Sequence, residues 1–198
     1  VILAGISCFL CICGFIKKQD QPLHIGNRLE LFVDDYLIES LRNTELRLQT
    51  PVDKGPVVCF DKPWEGPFSA YTTIIKDGNI YRLYYRGRPQ AGKDGTTDEV
   101  TCYAESADGI NWVKPDLKIH NVMGTLNNNV ILKDEAPASH NFSPFMDTKT
   151  DVPVNGRYKA LGGLSKGLIA FSSDDGIHWK KLRDVPVFAG EPFDSQNI

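Results

Sequence analysis

Glu105-Ser-Ala-Asp-Gly-Ile-Asn-Trp112 and Ser172-Ser-Asp-Asp-Gly-Ile-His-Trp179 are two versions of one motif, with Asp108 and Asp175 set 67 positions apart. Five of the seven positions from Ser106 to Trp112 recur unchanged between Ser173 and Trp179. Asp-Gly between two strand-like runs signals a tight turn: Gly accepts a positive φ, and the Asp carboxylate can accept backbone N–H groups across the turn. The Ser hydroxyl can join that network, and the Trp can fold back as an apolar anchor. Asp108, Asp175, Trp112 and Trp179 therefore read as hairpin builders. The second copy also fits a stricter Ser-x-Asp-x-Gly-x-x-Trp spacing, through Ser172, Asp174, Gly176 and Trp179. The first copy has Glu105 and Ala107 at those places. A repeat of this period on strand-like sequence is how propeller blades declare themselves. The expected fold class is all-β, a β-propeller incomplete here, with about two blades and the start of a third.

Alternation places the strands of the first blade near Ala70 to Lys76, Ile80 to Arg86 and Glu99 to Glu105, with the repeated hairpin leading to a fourth. Along the second strand, Tyr81, Leu83 and Tyr85 share one face while Arg82, Tyr84 and Arg86 share the other. The second blade runs through Phe142 to Asp147, Arg157 to Leu161, Leu168 to Phe171 and Trp179 to Leu182, so that Tyr158 corresponds to Tyr81. The stretch from Gly87 to Asp98, rich in Gly, Thr and charge, reads as a lid or a disordered tip. Arg28 to Glu39 reads as a strand pair, or a strand and a turn around Asp34-Asp35.

Val1 to Ile16 is an apolar run that ends at Lys17-Lys18. It is short for a membrane span and reads as the core of a secretory signal, with a membrane or lipid anchor as the alternative. The expected division is residues 1–20 as that leader or anchor remnant and residues 21–198 as the N-terminal part of a propeller domain. The missing Met and the abrupt end suggest a fragment of a secreted, periplasmic or cell-envelope protein. Outside the leader only Cys59 and Cys102 remain, and they read as buried thiols. No Cys-x-x-Cys or His-x-x-x-His spacing suggests zinc, and no metal or cofactor is expected. Asn141-Phe-Ser143 matches a glycosylation sequon. The 198 residues are 41% hydrophobic with a net charge of -3 and no basic stripe, which argues against nucleic acid and toward a neutral ligand.

The first strand of each propeller blade lines the channel, and ligands gather at one of its mouths. The segments opening successive blades are Trp64 to Tyr71, His140 to Asp147 and Phe193 to Asn197. Cleavage of a glycosidic bond needs two carboxyl groups across it. Glu65, Asp147 and Asp194 are the catalytic candidates by position, with Asp34 and Asp35 as a further pair. Each also has a plainer role open to it, in a turn or a surface ion pair. Trp64, Tyr71 and Tyr84 can stack on sugar faces, and Arg86 and Arg88 can fork hydrogen bonds to hydroxyls or a carboxylate. His140, Asn141 and Gln196 can hold sugar hydroxyls. Tyr84 can equally pack between adjacent blades.

Leu31 to Glu39, His140 to Asp147 with Arg157 to Leu161, and Phe193 to Asn197 resemble the first part of a group of bacterial secreted proteins placed with the five-bladed glycoside hydrolases. The hairpin motif resembles that of families 32, 43 and 130. The resemblance covers Arg28 to Asn197 and implies a five-bladed propeller that hydrolyses an oligo- or polysaccharide, with no cofactor and no membrane contact beyond an N-terminal anchor. Families 32 and 43 carry Asp-Pro, Arg-Asp-Pro and Glu on successive inner strands. Here Ala70 and Ser143 fall near the two Asp positions, so those residues do not carry over. Non-catalytic glycan binding, or sialidase-like chemistry with a Tyr nucleophile and an Arg cluster, are the alternatives.

Overall fold

The computed structural model describes residues 22–149, 151, 156–164 and 166–189. The apolar leader, Asp194 and Gln196 lie outside them. The chain divides into two compact units, Val1–Pro51 and Val52–Ile198. In the first, the described residues 22–51 form turns and extended segments without a strand. The strand expected between Arg28 and Glu39 does not form. Asp34 Oδ1 instead accepts the Tyr36 N–H at 3.0 Å, and the Asp35 carbonyl accepts the Ile38 N–H at 3.0 Å. A carboxylate that captures a nearby amide competes directly with a ladder, and Asp-Asp in the middle of Leu-Phe-Val-Asp-Asp-Tyr-Leu wins that competition.

The second unit is built from two antiparallel sheets. Strands β1 (Ala70–Asp77), β2 (Ile80–Gly87), β3 (Val100–Ser106) and β4 (Trp112–Val113) form a meander, and β5 (Val130–Leu132) pairs with the free end of β3. Strands β6 (Ser143–Met146), β7 (Tyr158–Gly162), β8 (Ile169–Ser173) and β9 (Lys180–Lys181) form a second meander in the same order. A 3-10 turn at Ala138–His140 leads into β6. Apart from that turn, the described secondary structure is all β.

The registers of the two sheets coincide. Tyr81 faces Ser106 across β2 and β3, and Tyr158 faces Ser173 across β7 and β8. In both hairpins the Ser hydroxyl bonds the carboxylate two residues on, at 2.9 Å for Asp108 and 3.0 Å for Asp175. In both, that carboxylate accepts the N–H groups two and three residues further on at 2.8 Å, and the Trp indole donates to the Gly carbonyl at 3.1 Å. The working residues of the second copy are therefore Ser173 and Asp175. The stricter spacing through Ser172 and Asp174 is not the one used: Asp174 accepts the N–H of Gly156 instead.

Two cores flank the first sheet. On one face Leu83, Tyr85, Cys102 and Ala104 pack with Trp64, Val122 and Val130. On the other, Ile75, Tyr84 and Tyr103 pack against Phe142, Tyr158, Ala160 and Phe171 of the second sheet. Burial of each large side chain contributes about 1.5–3 kcal/mol, so this doubly covered sheet anchors the unit. Tyr84 is wholly buried and fills the space between sheets, the second of its two expected roles. Cys102 is buried and Cys59 exposed, which corrects the expectation of two buried thiols.

At the hairpin end Asp77 ties the sheets together. Its Oδ2 accepts Arg82 Nη2 at 3.2 Å and Arg157 Nη2 at 2.9 Å, and the Tyr158 hydroxyl as well. Burial alone would raise the Asp77 pKa, but Tyr158, Arg157 and Arg82 hold it below the usual carboxylate value.

Candidate functional site

The opposite end of the sheets collects the chemistry. Gly87 faces Val100 in the β2–β3 register, and one further step along both chains sets Arg88 against Glu99. Both are buried. Arg88 Nη1 bonds Glu99 Oε1 and lies 3.2 Å from Asp94 Oδ1. The rest of its guanidinium gathers the loop that follows β2, with Nε to the Gln90 carbonyl at 3.0 Å and Nη2 to the Lys93 carbonyl at 2.8 Å. Gly95 N–H closes the loop onto Glu99 Oε2 at 3.1 Å. A Cβ at Gly92 would come within 2.7 Å of Arg88 Nη2, so a larger residue there would have to displace the guanidinium. The segment expected as a lid or disordered tip is wound around a buried cation.

His140 arrives from the second sheet. The 3-10 turn that carries it lies hard against β7: a Cβ at Gly162 would meet the Ala138 carbonyl oxygen at 2.7 Å. His140 Nδ1 lies 3.0 and 3.1 Å from the two oxygens of Glu99 and 2.8 Å from Arg86 Nη1. Its Nε2 lies 3.1 Å from the Tyr71 hydroxyl. With the proton on Nδ1 the ring donates to Glu99 and accepts from Tyr71; with the proton on Nε2 it accepts from Arg86 and donates to Tyr71. Glu99, His140 and Tyr71 thus form a continuous path for a proton from a buried carboxylate to a half-buried phenol.

Tyr71 sits at a break in the β1–β2 register between Ala70 and Thr73, with φ of 54°. The left-handed region costs a residue with a Cβ about 1–2 kcal/mol, and backbone strain of this kind concentrates at working sites. The distortion turns the ring so that its centroid is 4.9 Å from that of His140 and 4.8 Å beneath the Arg86 guanidinium. Arg86 in turn donates from Nη2 to the Phe68 carbonyl at 2.8 Å.

Tyr71, Arg86, Arg88 and His140, expected to bind substrate, are brought together here. The residue that joins them, Glu99, was not foreseen; the register arithmetic that sets it opposite Arg88 is the signal for it. Asp94, Glu99 and His140 offer ligand atoms within 4.8 Å of one another. Arg88 and Arg86 already occupy those atoms, so the cluster is a neutralised network poorly suited to a cation.

Other expected site residues lie elsewhere. Trp64 is buried in the apolar core and donates its indole N–H to Asn129 Oδ1 at 2.8 Å, so it offers no face to a sugar. Asn141 is wholly buried and exchanges hydrogen bonds with Gly163, donating to its carbonyl at 2.8 Å and accepting its N–H at 2.9 Å. The glycosylation sequon is therefore enclosed by the fold. Glu65 is also wholly buried: Oε1 accepts the Tyr85 hydroxyl at 2.5 Å, and Oε2 accepts Lys114 Nζ at 2.6 Å and the Lys62 N–H at 3.0 Å. Asp147 follows β6, at the far end of that strand from His140, and pairs with Lys159 at 2.6 Å. Lys159 first, and then the Lys149 N–H, hold its pKa below the ordinary value. Glu65 and Asp147 have no partner in common.

No family model matches the chain. Over 130 residues it is 28% identical to an uncharacterized protein of Mycobacterium tuberculosis (strain ATCC 25618 / H37Rv), a match covering 64% of this chain and 38% of that one. A protein of strain CDC 1551 / Oshkosh, also uncharacterized, matches with the same identity and coverage. The chain thus matches less than half the length of these curated relatives. Among solved structures, a glycosyl hydrolase from Bacteroides ovatus aligns with a TM-score of 0.39 and 18% identity, over 65% of this chain and 33% of that one.

Proposed function

We propose that the chain forms two blades and the opening of a third in a five-bladed β-propeller, and that the exported protein it belongs to hydrolyses glycosidic bonds. One observation carries this reading: two successive meanders of identical register deliver Tyr71 and Arg86 from one sheet and His140 from the other to a single end. Convergence of polar and aromatic groups from separate repeats at one mouth is what a propeller ligand site requires. Aromatic faces and forked cations are also the groups that grip sugars.

Hydrolysis by paired carboxylates needs acids that reach the same mouth. Asp194 opens the third blade in sequence and is assigned here as one of them. Glu65 and Asp147 brace the walls through Lys114 and Lys159. Those ion pairs favour the second reading, a propeller that binds glycans without cleaving them.

The full-length protein, incubated with a panel of polysaccharides, separates the two. Release of reducing ends that Asp194→Asn abolishes while binding persists supports hydrolysis. Binding without release supports the second reading, and absence of both defeats the carbohydrate assignment.

A further inference from the structure

A cavity of about 290 Å³ lies beside the hairpin tryptophan of the first repeat, between residues 57–62 and the strand that carries Trp112 and Lys114. That strand, β4, is the opposite edge of the sheet from β1, and Trp112 faces Ser106 at the far end of β3 from Val100. The cavity is therefore separate from the Tyr71 end. Trp112 packs partly against the core around Val130 and borders the cavity with the rest of its ring, which the indole bond to the Gly109 carbonyl at 3.1 Å keeps from turning. Val57 and Val58 extend this apolar wall. Lys114 Nζ, in a side chain 12% exposed, bonds Glu65 Oε2 at 2.6 Å, the Cys59 carbonyl at 2.5 Å and Asp61 Oδ1 at 3.0 Å. Its donors are thus spent on holding the wall, and Asp61 Oδ2 is left as an acceptor at the rim. The Lys114 bond also keeps the Asp61 pKa below the ordinary value, so the carboxylate stays charged. The exposed Lys62 stands on a turn closed in both directions, with the Glu65 N–H to the Lys62 carbonyl at 2.9 Å and the Lys62 N–H to Glu65 Oε2 at 3.0 Å. A cavity of about 280 Å³ borders Trp179 in the second repeat, but there Asp174 is spent on the Gly156 N–H and Asp175 on its own turn and His178.

We infer that the cavity beside Trp112 is a second glycan-binding site, which takes one neutral pyranose unit of an oligosaccharide. The inference rests on the carbohydrate reading above and adds a site to it. The C–H face of a sugar ring lies against the Trp112 indole and the two valines, while Asp61 accepts from its hydroxyls and the Lys62 ammonium donates to them. The volume sits at the lower end of the about 300–1,000 Å³ usual for ligand pockets, which is room for a single ring. Lys62 and Lys114 are balanced by Asp61 and Glu65, so the local field favours an uncharged unit.

Cys59 borders the cavity and is exposed, whereas Cys102 is buried, so the Cys59 thiol reports on this site and not on the Tyr71 end. The test treats the full-length protein with iodoacetamide in the presence of cellohexaose, mannohexaose, xylohexaose or polygalacturonate, and follows alkylation peptide by peptide by mass spectrometry. At least one neutral oligosaccharide is expected to slow Cys59 alkylation to a saturable limit, more effectively than polygalacturonate. Asp61→Asn should raise the concentration that gives half-protection about fivefold or more, the difference between a charged and a neutral acceptor, and Lys62→Met should act in the same direction. Both side chains are exposed, and unchanged thermal melting of each variant separates lost binding from misfolding. Oligosaccharides that bind in equilibrium dialysis yet leave Cys59 alkylation unchanged overturn the inference and leave the carbohydrate reading standing. So does protection that Asp61→Asn does not weaken, or protection by polygalacturonate that exceeds that of every neutral sugar. A protein that binds no glycan defeats the carbohydrate reading and this site with it.

Discussion

The hydroxyl of Tyr84, in the middle of β2, donates at 3.0 Å to the carbonyl oxygen of Gly176, 92 residues further on in the turn of the second repeat. One sheet is thereby fastened to the hairpin of the next, in a space closed by the rings of Tyr103 and Trp179. Tyr84→Phe keeps the packing and leaves the carbonyl to the Trp179 indole N–H alone, at a cost of about 1 kcal/mol. Gly176→Ala should cost more: its φ is 76°, and a Cβ there would lie 2.7 Å from the Tyr84 oxygen. Urea unfolding of both variants checks the order. Equal stability of the two would disprove the close approach.

The paired hairpins predict a specific response to acid. Backbone N–H groups of Asn111 and Ile110 lead in holding the Asp108 pKa well below the ordinary carboxylate value. At Asp175 burial pulls upward, but His178, Ile177 and Ser173 together outweigh it and hold the pKa down. A carboxyl whose folded pKa is depressed contributes stability that is complete above its unfolded value, about 3.9, and is lost as pH falls toward the folded value. Stability should therefore decline below about pH 4. In Asp108→Asn and Asp175→Asn the decline should be shallower, because the groups that drive it are gone. Denaturant midpoints measured from pH 7 to pH 2 provide the check, and parallel curves for all three proteins would refute the account.

Glu65 carries a prediction that separates structure from turnover. Lys114 is 12% exposed and pairs with Glu65 at 2.6 Å. Glu65→Gln would leave that ammonium only the exposed Asp61 carboxylate, 3.0 Å away, as counter-charge, and the cost should approach the about 3–5 kcal/mol typical of breaking a buried pair without reaching its upper end. A large fall in melting temperature is expected, with the double variant Glu65→Gln, Lys114→Met recovering part of it. A variant as stable as the parent but without turnover would return Glu65 to the catalytic set.

The local devices were the most legible in the sequence. Asp-Gly turns, period-two alternation and the match of Tyr81 to Tyr158 depend on neighbours within a hairpin, and the strands follow them closely. Tyr71, Arg86, Arg88 and His140 were legible as a group because they recur at strand openings and ends that one fold edge collects. Glu65 was not, since its counter-ion lies 49 residues away and nothing in Trp-Glu-Gly-Pro signals enclosure. Glu99 was hidden for a related reason: a charged residue ahead of an apolar strand looks solvated until the register puts a guanidinium across from it. Arg28 to Glu39 reads as a strand pair, or a strand and a turn around Asp34-Asp35, but a side chain two residues from an amide outcompetes a partner strand that must come from elsewhere.

The loop after β2 offers the sharpest test of how this site is held. Arg88 contacts the Gln90 and Lys93 carbonyls, and Glu99 holds the Gly95 N–H, so three of the bonds that shape residues 89–98 run to one buried ion pair. Lysine at position 88 keeps the charge but presents a single point of donors, which cannot reach two loop carbonyls and a carboxylate in the same plane. Arg88→Lys should therefore loosen the loop while the sheets remain intact. Amide exchange at Gly95 should quicken by about tenfold or more, given a loss of order 1–3 kcal/mol for charge-assisted bonds. Limited proteolysis should cut between Pro89 and Asp98 first, with far-ultraviolet dichroism unchanged. Unaltered exchange at Gly95 would mean that the loop is held by contacts other than the guanidinium, and that Arg88 contributes to the site by charge alone.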